Sequence, residues 1–228
     1  MPYPMSPRAA DKATAPTDAK PRRTDRRRAV TRGRLLEAAR VLFAEKGVDA
    51  VRVNEITDQA DLGFGSFYTY FSSKDEIVEA VVGEIVATQG GVIDELTSDL
   101  DDVAEIVATA HCYWIDLARS DPIWGWLLVR LDVSHRVVFE TLGSYAIRDM
   151  RRGVKEGRFE VQSETVALTA AGGALIANMR AVLEGAASPD VALHHAECVL
   201  RIYGLTKAEA RKVTGRVGDS RPDAKRCD

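Results

Sequence analysis

The sequence has no uninterrupted apolar run of membrane-spanning length and few cysteines. A spanning helix needs ~18 or more consecutive apolar residues, and none of the 228 residues lies in such a run, so no membrane partner is expected. The three cysteines, at 112, 198 and 227, are widely spaced and form no CxxC pair. This pattern indicates reduced thiols rather than a disulfide framework. The proline-rich N-terminus has no apolar core, so we predict no secretory signal and a cytoplasmic protein.

The sequence also lacks the short motifs of common catalytic sites. It contains no GxSxG, P-loop or HExxH motif, and no GxGxxG motif after a strand. His194, His195 and Cys198 have chelating spacing, but a single helix would supply all three ligands and no carboxylates accompany them. We therefore expect neither an enzyme nor a bound metal or other cofactor.

Charge is distributed unevenly along the chain. The net charge is −3, yet residues 1–34 hold ten Lys/Arg and three Asp, a balance of +7, which leaves −10 for the remainder. Such asymmetry predicts a basic arm for a polyanion on an acidic body. A solvated, disordered tail of the same composition is the alternative.

Apolar residues recur at helical spacing, and no convincing alternating β pattern is present. The periodicity predicts an all-α protein of nine or ten helices. Gly47 is typical of a helix C-cap, and Asp121-Pro122 of a helix start. Ser73 is predicted to cap a long helix, with Glu76 completing a capping box. The glycine pair at 90–91 is expected to kink or interrupt that helix.

Two short helical segments follow a longer first helix near the N-terminus. Val53 to Ala60 and Gly65 to Phe71 are separated by the turn residues Asp61-Leu62-Gly63. This is the arrangement of a helix-turn-helix. Alone it is a weak signal, because amphipathic helices joined by a glycine turn are common.

The segment at 65–76, GSFYTYFSSKDE, makes the signal specific, because it closely resembles the signature of the TetR family. Upstream, the run from Leu35 to Gly47 resembles that family's first helix, and Asn54-Glu55-Ile56 with Ala60 resembles the second. The resemblance covers residues 31–82. It implies an N-terminal three-helix helix-turn-helix domain and a larger helical ligand-binding and dimerisation domain. The expected division is a disordered basic arm (1–28), the helix-turn-helix domain (29–75), the ligand-binding and dimerisation domain (76–213) and a disordered tail (214–228).

The resemblance implies a set of DNA contacts. Gly65 and Ser66 allow close approach to bases, and Phe64 is expected to meet thymine methyl groups. Tyr68 and Thr69 are expected to face the groove, while Tyr70 and Lys74 hold phosphates. Phe67 and Phe71 are predicted to point inward. The predicted DNA-binding residues are Arg52, Asn54, Phe64, Gly65, Ser66, Tyr68, Thr69, Tyr70 and Lys74.

Three residues depart from the family pattern. Arg52 stands where a small hydroxyl N-cap is common, Thr57 where alanine is common, and Asp61 where glycine is common. Asp61 can adopt the left-handed turn, and Arg52 can exchange a cap for a phosphate contact. Residues 29–75 hold six Lys/Arg against seven acids. The arm is therefore expected to supply much of the attraction to DNA.

The middle of the chain is aromatic-rich and contains all three tryptophans. By resemblance, this region forms a cavity for a small apolar or aromatic effector. A packed core is the alternative for each residue. The predicted ligand-binding residues are His111, Trp114, Asp116, Trp124, Trp126, Phe139 and Tyr145.

The last long helices resemble the family's dimer interface. Small residues at 170–174 favour the close approach of another helix, and a palindromic operator of double-stranded DNA requires a two-fold homodimer. The predicted interface residues are Ala171, Gly172, Ala174, Leu175, His195, Cys198, Val199 and Ile202. The sequence thus favours a ligand-responsive, nucleoid-associated regulator, and specifically a repressor that effector binding releases from DNA. A DNA-bound structural or division-control protein without an effector remains the alternative.

Overall fold

The computed structural model describes residues 23–130 and 136–221, except for the side chains of Val86 and residues 136–142. Helices are the only regular secondary structure among the described residues, which confirms the predicted all-α class. The bounds of these helices are α1 Arg23–Lys46, α2 Val53–Gln59, α3 Phe64–Phe67, α4 Lys74–Thr97, α5 Val103–Ser120, α6 Pro122–Arg130, α7 Arg136–Lys155, α8 Glu164–Leu183, α9 Val191–Ile202 and α10 Lys207–Ser220.

Local sequence signals set most of the helix ends. Ser73 Oγ accepts the Glu76 N–H at 3.2 Å, and Asp121 Oδ1 accepts the Trp124 N–H at 3.2 Å. The Glu76 carboxylate reaches Ser72 rather than Ser73, at 2.6 Å from the Ser72 N atom. Gly47 has a φ of 82°, a left-handed conformation that costs glycine little. These caps confirm the predicted starts of α4 and α6 and the end of α1.

Two helical arrangements position the candidate sites. α1 packs against α2, α4 and α6, and it forms the N-terminal unit with α2 and α3. α5 lies centrally in the larger unit and contacts α4 and each helix from α6 to α10. α4 therefore belongs to both units, and α6 joins them through its contact with α1. This arrangement confirms the predicted two-part layout.

α4 continues through the glycine pair without interruption. A Cβ atom at Gly90 would lie 3.0 Å from the Tyr145 hydroxyl oxygen. The glycine thus allows α7 to approach α4 closely, and the expected interruption is wrong. The reason is tertiary packing, which the local glycine signal does not reveal.

Both predicted disordered ends contain helix. Residues 23–28 form the first turns of α1, where Arg28 lies 5.8 Å from the centroid of the Tyr70 ring. Residues 214–220 complete α10, whose Arg216 lies 3.3 Å from Asp102 and whose Val217 is buried. Long-range contacts stabilise these segments despite their polar composition. Residues 1–22 and 222–228 lie outside the described ranges.

Candidate DNA-reading surface and effector cavity

α3 is a four-residue helix held on two buried aromatic side chains. Phe67 and Phe71 are almost fully buried, and their ring centroids are 5.7 Å apart. Both were predicted to point inward, and the structure confirms it. The helix ends earlier than predicted, because the chain turns after Phe67 and the Thr69 N–H donates to the Ser66 carbonyl at 3.2 Å.

The opposite side of α3 presents two large aromatic side chains to solvent. Phe64 and Tyr68 are each 55% exposed and pack edge to face, with ring centroids 5.6 Å apart. Gly65 and Thr69 are also exposed, and Ser66 is half-buried. Large exposed aromatic side chains that contact one another are typical of a binding surface. Phe64, Gly65, Ser66, Tyr68 and Thr69 are therefore at least partly accessible, and together they are called the reading surface.

Tyr70 is half-buried and packs against the core. The Arg28 guanidinium lies over its ring, as a cation–π contact requires. Arg32 is placed similarly, 5.1 Å from the Phe71 ring centroid. The basic start of α1 is thus fixed beside the reading surface.

Glu55 supplies the N-terminal cap of α2 that Arg52 cannot provide. The Arg52 N–H donates to Glu55 Oε2 at 2.9 Å, while Glu55 Oε1 lies 2.7 Å from Lys46 Nζ. Both contacts hold the pKa of Glu55 below its usual value, the Lys46 hydrogen bond most strongly. The side chains of Arg52 and Asn54 remain exposed at the start of α2.

Lys74 makes hydrogen bonds within the protein that the family resemblance did not indicate. Its Nζ donates to the carbonyls of Val48 and Val51, at 3.0 and 3.2 Å. The ammonium therefore joins the α1–α2 turn to the start of α4. Two of the three Nζ donors are used in this bridge, which leaves one N–H, so the phosphate contact stays a prediction.

The remaining departures from the family pattern fit the fold. Asp61 adopts a φ of 52°, as its turn requires, and lies 3.3 Å from Arg34. Thr57 is fully buried, and its hydroxyl donates to the Asn54 carbonyl at 2.9 Å. Neither substitution leaves a buried polar group without a partner.

A cavity of about 210 Å³ lies in the larger unit between α4, α5, α7 and α8. His111, Trp114 and Tyr145 line it, as predicted for ligand-binding residues. Most of the wall is apolar, including Ile93 and Leu128. Such a cavity, with few polar groups among apolar ones, is typical of a small-molecule site.

Trp124 and Trp126 do not reach this cavity. They lie on α6 at its junction with α1, where the guanidinium groups of Arg40 and Arg130 lie 5.1 and 4.6 Å from their ring centroids. Arg130 also donates to the Ala44 carbonyl of α1 at 2.6 Å. Their predicted ligand role is corrected to one at the contact between the two units.

Asp116 is likewise absent from the cavity wall. Its carboxylate lies 2.6 Å from Arg221 and 3.4 Å from Arg119. It belongs to an ion-pair cluster that fixes the end of α10 on α5. Phe139 falls in α7, but its side chain lies outside the described residues.

Several predicted interface residues face inward instead. Ala171, Gly172 and Leu175 line the cavity, and His195 and Val199 are buried in the single chain. Consecutive residues of a helix point ~100° apart. An error of one or two positions in the predicted pattern therefore assigns an inward residue to the outward face. Ala174 and Ile202 are half-buried, and Cys198 is exposed.

The outward face of α8 is apolar and composed mainly of small residues. Val166 is 66% exposed, and Ala170, Gly173 and Ala177 follow it at helical spacing on the exposed side. Among the described residues, α8 is the one helix long and apolar enough to cross a membrane, and only 17% of its most apolar window is buried. The small residues at 170–174 are therefore divided between this exposed face and the cavity side of α8.

His111 and His195 lie side by side beneath the cavity. His111 Nδ1 is 2.9 Å from His195 Nε2, and His195 Nδ1 is 3.3 Å from Asn178 Nδ2. Burial lowers the pKa of His111 to about 3 and that of His195 to about 4. Sequence reasoning placed the two histidines in different sites, because their separation of 84 residues gives no local signal of contact.

Two family descriptions match the chain in the same order as its two units. "Bacterial regulatory proteins, tetR family" matches residues 35–81, and "Tetracyclin repressor-like, C-terminal domain" matches residues 102–216. The chain belongs to the TetR family of bacterial regulatory proteins. Members of this family are regulators rather than enzymes.

Similar proteins agree with this assignment. The chain is 45% identical over 51 residues to the transcriptional repressor KstR2 of Mycobacterium tuberculosis, a match that covers 22% of this chain and 26% of KstR2. It is 37% identical over 70 residues to the repressor BdcR of Escherichia coli, covering 31% and 36% of the two chains. These matches therefore span only about a quarter to a third of each repressor.

A solved structure extends the similarity over most of the chain. RolR in complex with resorcinol is 34% identical, with a TM-score of 0.66 over 84% of this chain and 96% of RolR. The shared fold therefore includes the larger unit as well as the N-terminal unit.

Proposed function

We propose that the protein is a dimeric transcriptional repressor that binds a palindromic operator and is released by a small, uncharged aromatic effector. Each α3 enters one major groove of the operator. The effector occupies the cavity and changes the separation of the two reading surfaces.

The location of the cavity is the observation that carries this proposal. α4 begins at the reading unit and forms one wall of the cavity. Two contacts from α7 fix it there: Tyr145 packs on Gly90, and Arg148 lies 3.6 Å from Asp94. Tyr145 and Arg148 both line the cavity. A ligand that displaces either side chain acts directly on the helix that sets the position of α3.

The exposed face of α8 supports a two-fold dimer. An added Cβ at Gly173 would meet no atom within 4 Å in the single chain, yet glycine in a helix costs ~1 kcal/mol relative to alanine. Close packing against a partner helix offsets that cost and removes the apolar face from water. We assign Ala170, Gly173 and Ala177 to this contact, with Cys198 on the neighbouring exposed face of α9.

The class of effector follows from cavity size and from similarity. A volume of about 210 Å³ is below the ~300–1,000 Å³ typical of sites for drug-sized ligands. It suits a molecule of one ring. RolR, which shares 34% identity over most of the chain, was solved with resorcinol, a hydroxylated ring.

A DNA-bound structural protein without an effector is less well supported. That function predicts a filled core between α5 and α7, and the structure has a cavity at this position. The aromatic groups around the cavity are better explained by a ligand.

Recovery of bound DNA tests the proposal. Purified protein should retain genomic fragments that share a two-fold sequence, and phenolic compounds should release them. Substitution Thr69→Arg on the exposed reading surface should abolish retention, whereas Lys155→Gln at the exposed end of α7 serves as the control. Fragments without a shared sequence, or sequence-specific binding that no aromatic compound reverses, would contradict the proposal.

A further inference from the structure

Three polar side chains from three helices form a hydrogen-bonded chain that ends at the cavity. Asn178 of α8 is 2.8 Å from the Ala174 carbonyl through Nδ2, and the same atom is 3.3 Å from His195 Nδ1. On its other side, His195 Nε2 is 2.9 Å from His111 Nδ1. His111 lines the cavity.

The carbonyl at one end fixes the direction of every hydrogen bond in this chain. The Ala174 oxygen is an acceptor only, so the Asn178 amide must present its NH₂ group there. The second N–H of that group donates to His195 Nδ1, which is therefore unprotonated. A neutral imidazole carries one proton, so His195 donates from Nε2 to His111 Nδ1. His111 consequently holds its own proton on Nε2.

The Nε2 atom of His111 is available to a ligand. Among the described residues, no buried side-chain nitrogen or oxygen atom lacks a hydrogen-bond partner, and Nδ1 is the His111 atom engaged by His195. His111 Nε2 is therefore accessible from the cavity. Burial also keeps both rings neutral at physiological pH, with pKa values of about 3 and 4. The cavity thus contains a neutral donor at this position.

The cationic side chain among the described lining residues is already neutralised. Arg148 Nε is 2.9 Å from Asp149, and its guanidinium also lies 3.6 Å from Asp94. Asp149 is buried and lines the cavity itself. An incoming carboxylate would therefore meet an acidic group beside a satisfied arginine, and it would lose its hydration without a free counter-charge.

We propose that His111 Nε2 donates to an oxygen of the effector, and that the cavity selects a neutral hydroxylated ring over the corresponding carboxylate. Asn178 is a positioning residue that fixes the histidine tautomers through His195. This inference rests on the proposed effector function and specifies the chemistry of its ligand.

Three matched probes test the selectivity on the full-length protein without DNA. Phenol, toluene and benzoate differ in one ring substituent, and their affinities can be measured by calorimetry or by quenching of Trp114. One neutral hydrogen bond contributes about threefold to tenfold in affinity, so we expect phenol to bind that much more tightly than toluene. Benzoate should bind at least about tenfold more weakly than phenol. Equal or tighter binding of benzoate would overturn the inference, as would no advantage of phenol over toluene.

Two variants separate the donor from the pocket's shape. His111→Leu should remove the advantage of phenol over toluene while retaining toluene binding, which also shows that the cavity remains folded. Asn178→Leu should reduce the phenol advantage, and Asn178→Gln, which retains an amide, should restore part of it. Retention of the full advantage in His111→Leu would contradict a donor role for His111.

Nitrogen NMR of ¹⁵N-histidine-labelled protein reads the tautomers directly. His111 and His195 should both carry their proton on Nε2, and Asn178→Leu should give a mixture of tautomers at His195. A proton on His111 Nδ1 would overturn the assignment. Operator binding by the unmodified protein is measured separately. If the protein binds no operator, the repressor function is contradicted, whereas a preference for benzoate would contradict only the ligand chemistry.

Discussion

Thr69 and Tyr70 follow one another in the chain, yet their side chains have different surroundings. Thr69 is exposed beside Phe64 and Tyr68, whereas Tyr70 is half-buried beneath the Arg28 guanidinium. A residue that reads bases affects sequence preference, whereas one that holds the backbone affects affinity for all sequences. The two positions can therefore be distinguished by matched substitutions.

Thr69→Ala is expected to relax preference at one operator position by ~1–3 kcal/mol, because alanine cannot hydrogen-bond to a base edge. Tyr70→Phe should weaken binding to all sequences alike. Binding of each variant to a library of operators with single base changes measures both effects. An unchanged preference profile for Thr69→Ala would remove this residue from the reading set.

The buried histidine pair predicts a loss of stability in mild acid. The pKa values of His111 and His195 are about 3 and 4 in the folded chain, against about 6.5 when unfolded. The unfolded state therefore binds more protons between these values, and stability falls as the pH decreases below about 6.5. His111→Gln should make the decline between pH 7.5 and pH 5 shallower by about 1–2 kcal/mol.

Urea unfolding at a fixed protein concentration measures this difference. Carboxylates with a lowered pKa, such as Asp102 beside Arg158, contribute equally to both proteins and cancel in the comparison. Parallel pH profiles for the two proteins would show that the histidines are not buried in the neutral form.

The sequence predicted where helices begin better than which side of a helix faces the interior of the protein. Ser73 and Asp121 identify the starts of α4 and α6 because a cap is a local interaction. The inward face of α8 depends on α5 and α9, which lie far away in the sequence. Local patterns could not establish that Leu175 lines the cavity while Ala177 faces outward.

The same difference between local and long-range signals applies to the candidate sites. The reading surface occupies one short segment, so its residues could be predicted together from resemblance. The cavity is assembled from helices that are far apart in the sequence, and of the predicted ligand-binding residues whose side chains the structure describes, His111, Trp114 and Tyr145 line it. Trp124 and Trp126 were assigned there because aromatic composition alone does not distinguish a cavity from a contact between two packed units.

Gly173→Leu is expected to dissociate the dimer, because a large side chain on the outward face of α8 prevents close helix packing. Sedimentation at several protein concentrations measures the change. Gly33→Leu is the matched control, since it makes the same substitution at an exposed helical glycine of α1 with no atom within 4 Å of the added Cβ. A dimer as stable as that of the unmodified protein would place the interface elsewhere.

For the whole molecule, the unequal distribution of charge predicts how DNA affinity depends on salt. The described start of α1 carries Arg23, Arg26 and Arg27 on an exposed helix beside the reading surface. Replacing all three by Gln should reduce the log–log salt slope by about 0.9 for each phosphate that is no longer neutralised. Arg151→Gln with Arg211→Gln changes exposed charge away from this surface and should leave the slope unaltered. Equal slopes for the two variants would show that the arm is only solvated.

If the effector and the operator bind to different states of one dimer, each must weaken the binding of the other, and this reciprocal linkage can be measured. Trp114 lines the cavity, so replacing Trp124 and Trp126 by Phe leaves it as the single tryptophan reporter. Effector affinity is then measured for the free dimer and for the operator-bound dimer. We expect the operator to weaken effector binding by the same factor by which the effector weakens operator binding, typically ~5–150-fold. An effector that releases DNA but binds equally well to free and operator-bound protein would contradict binding to different states of the dimer.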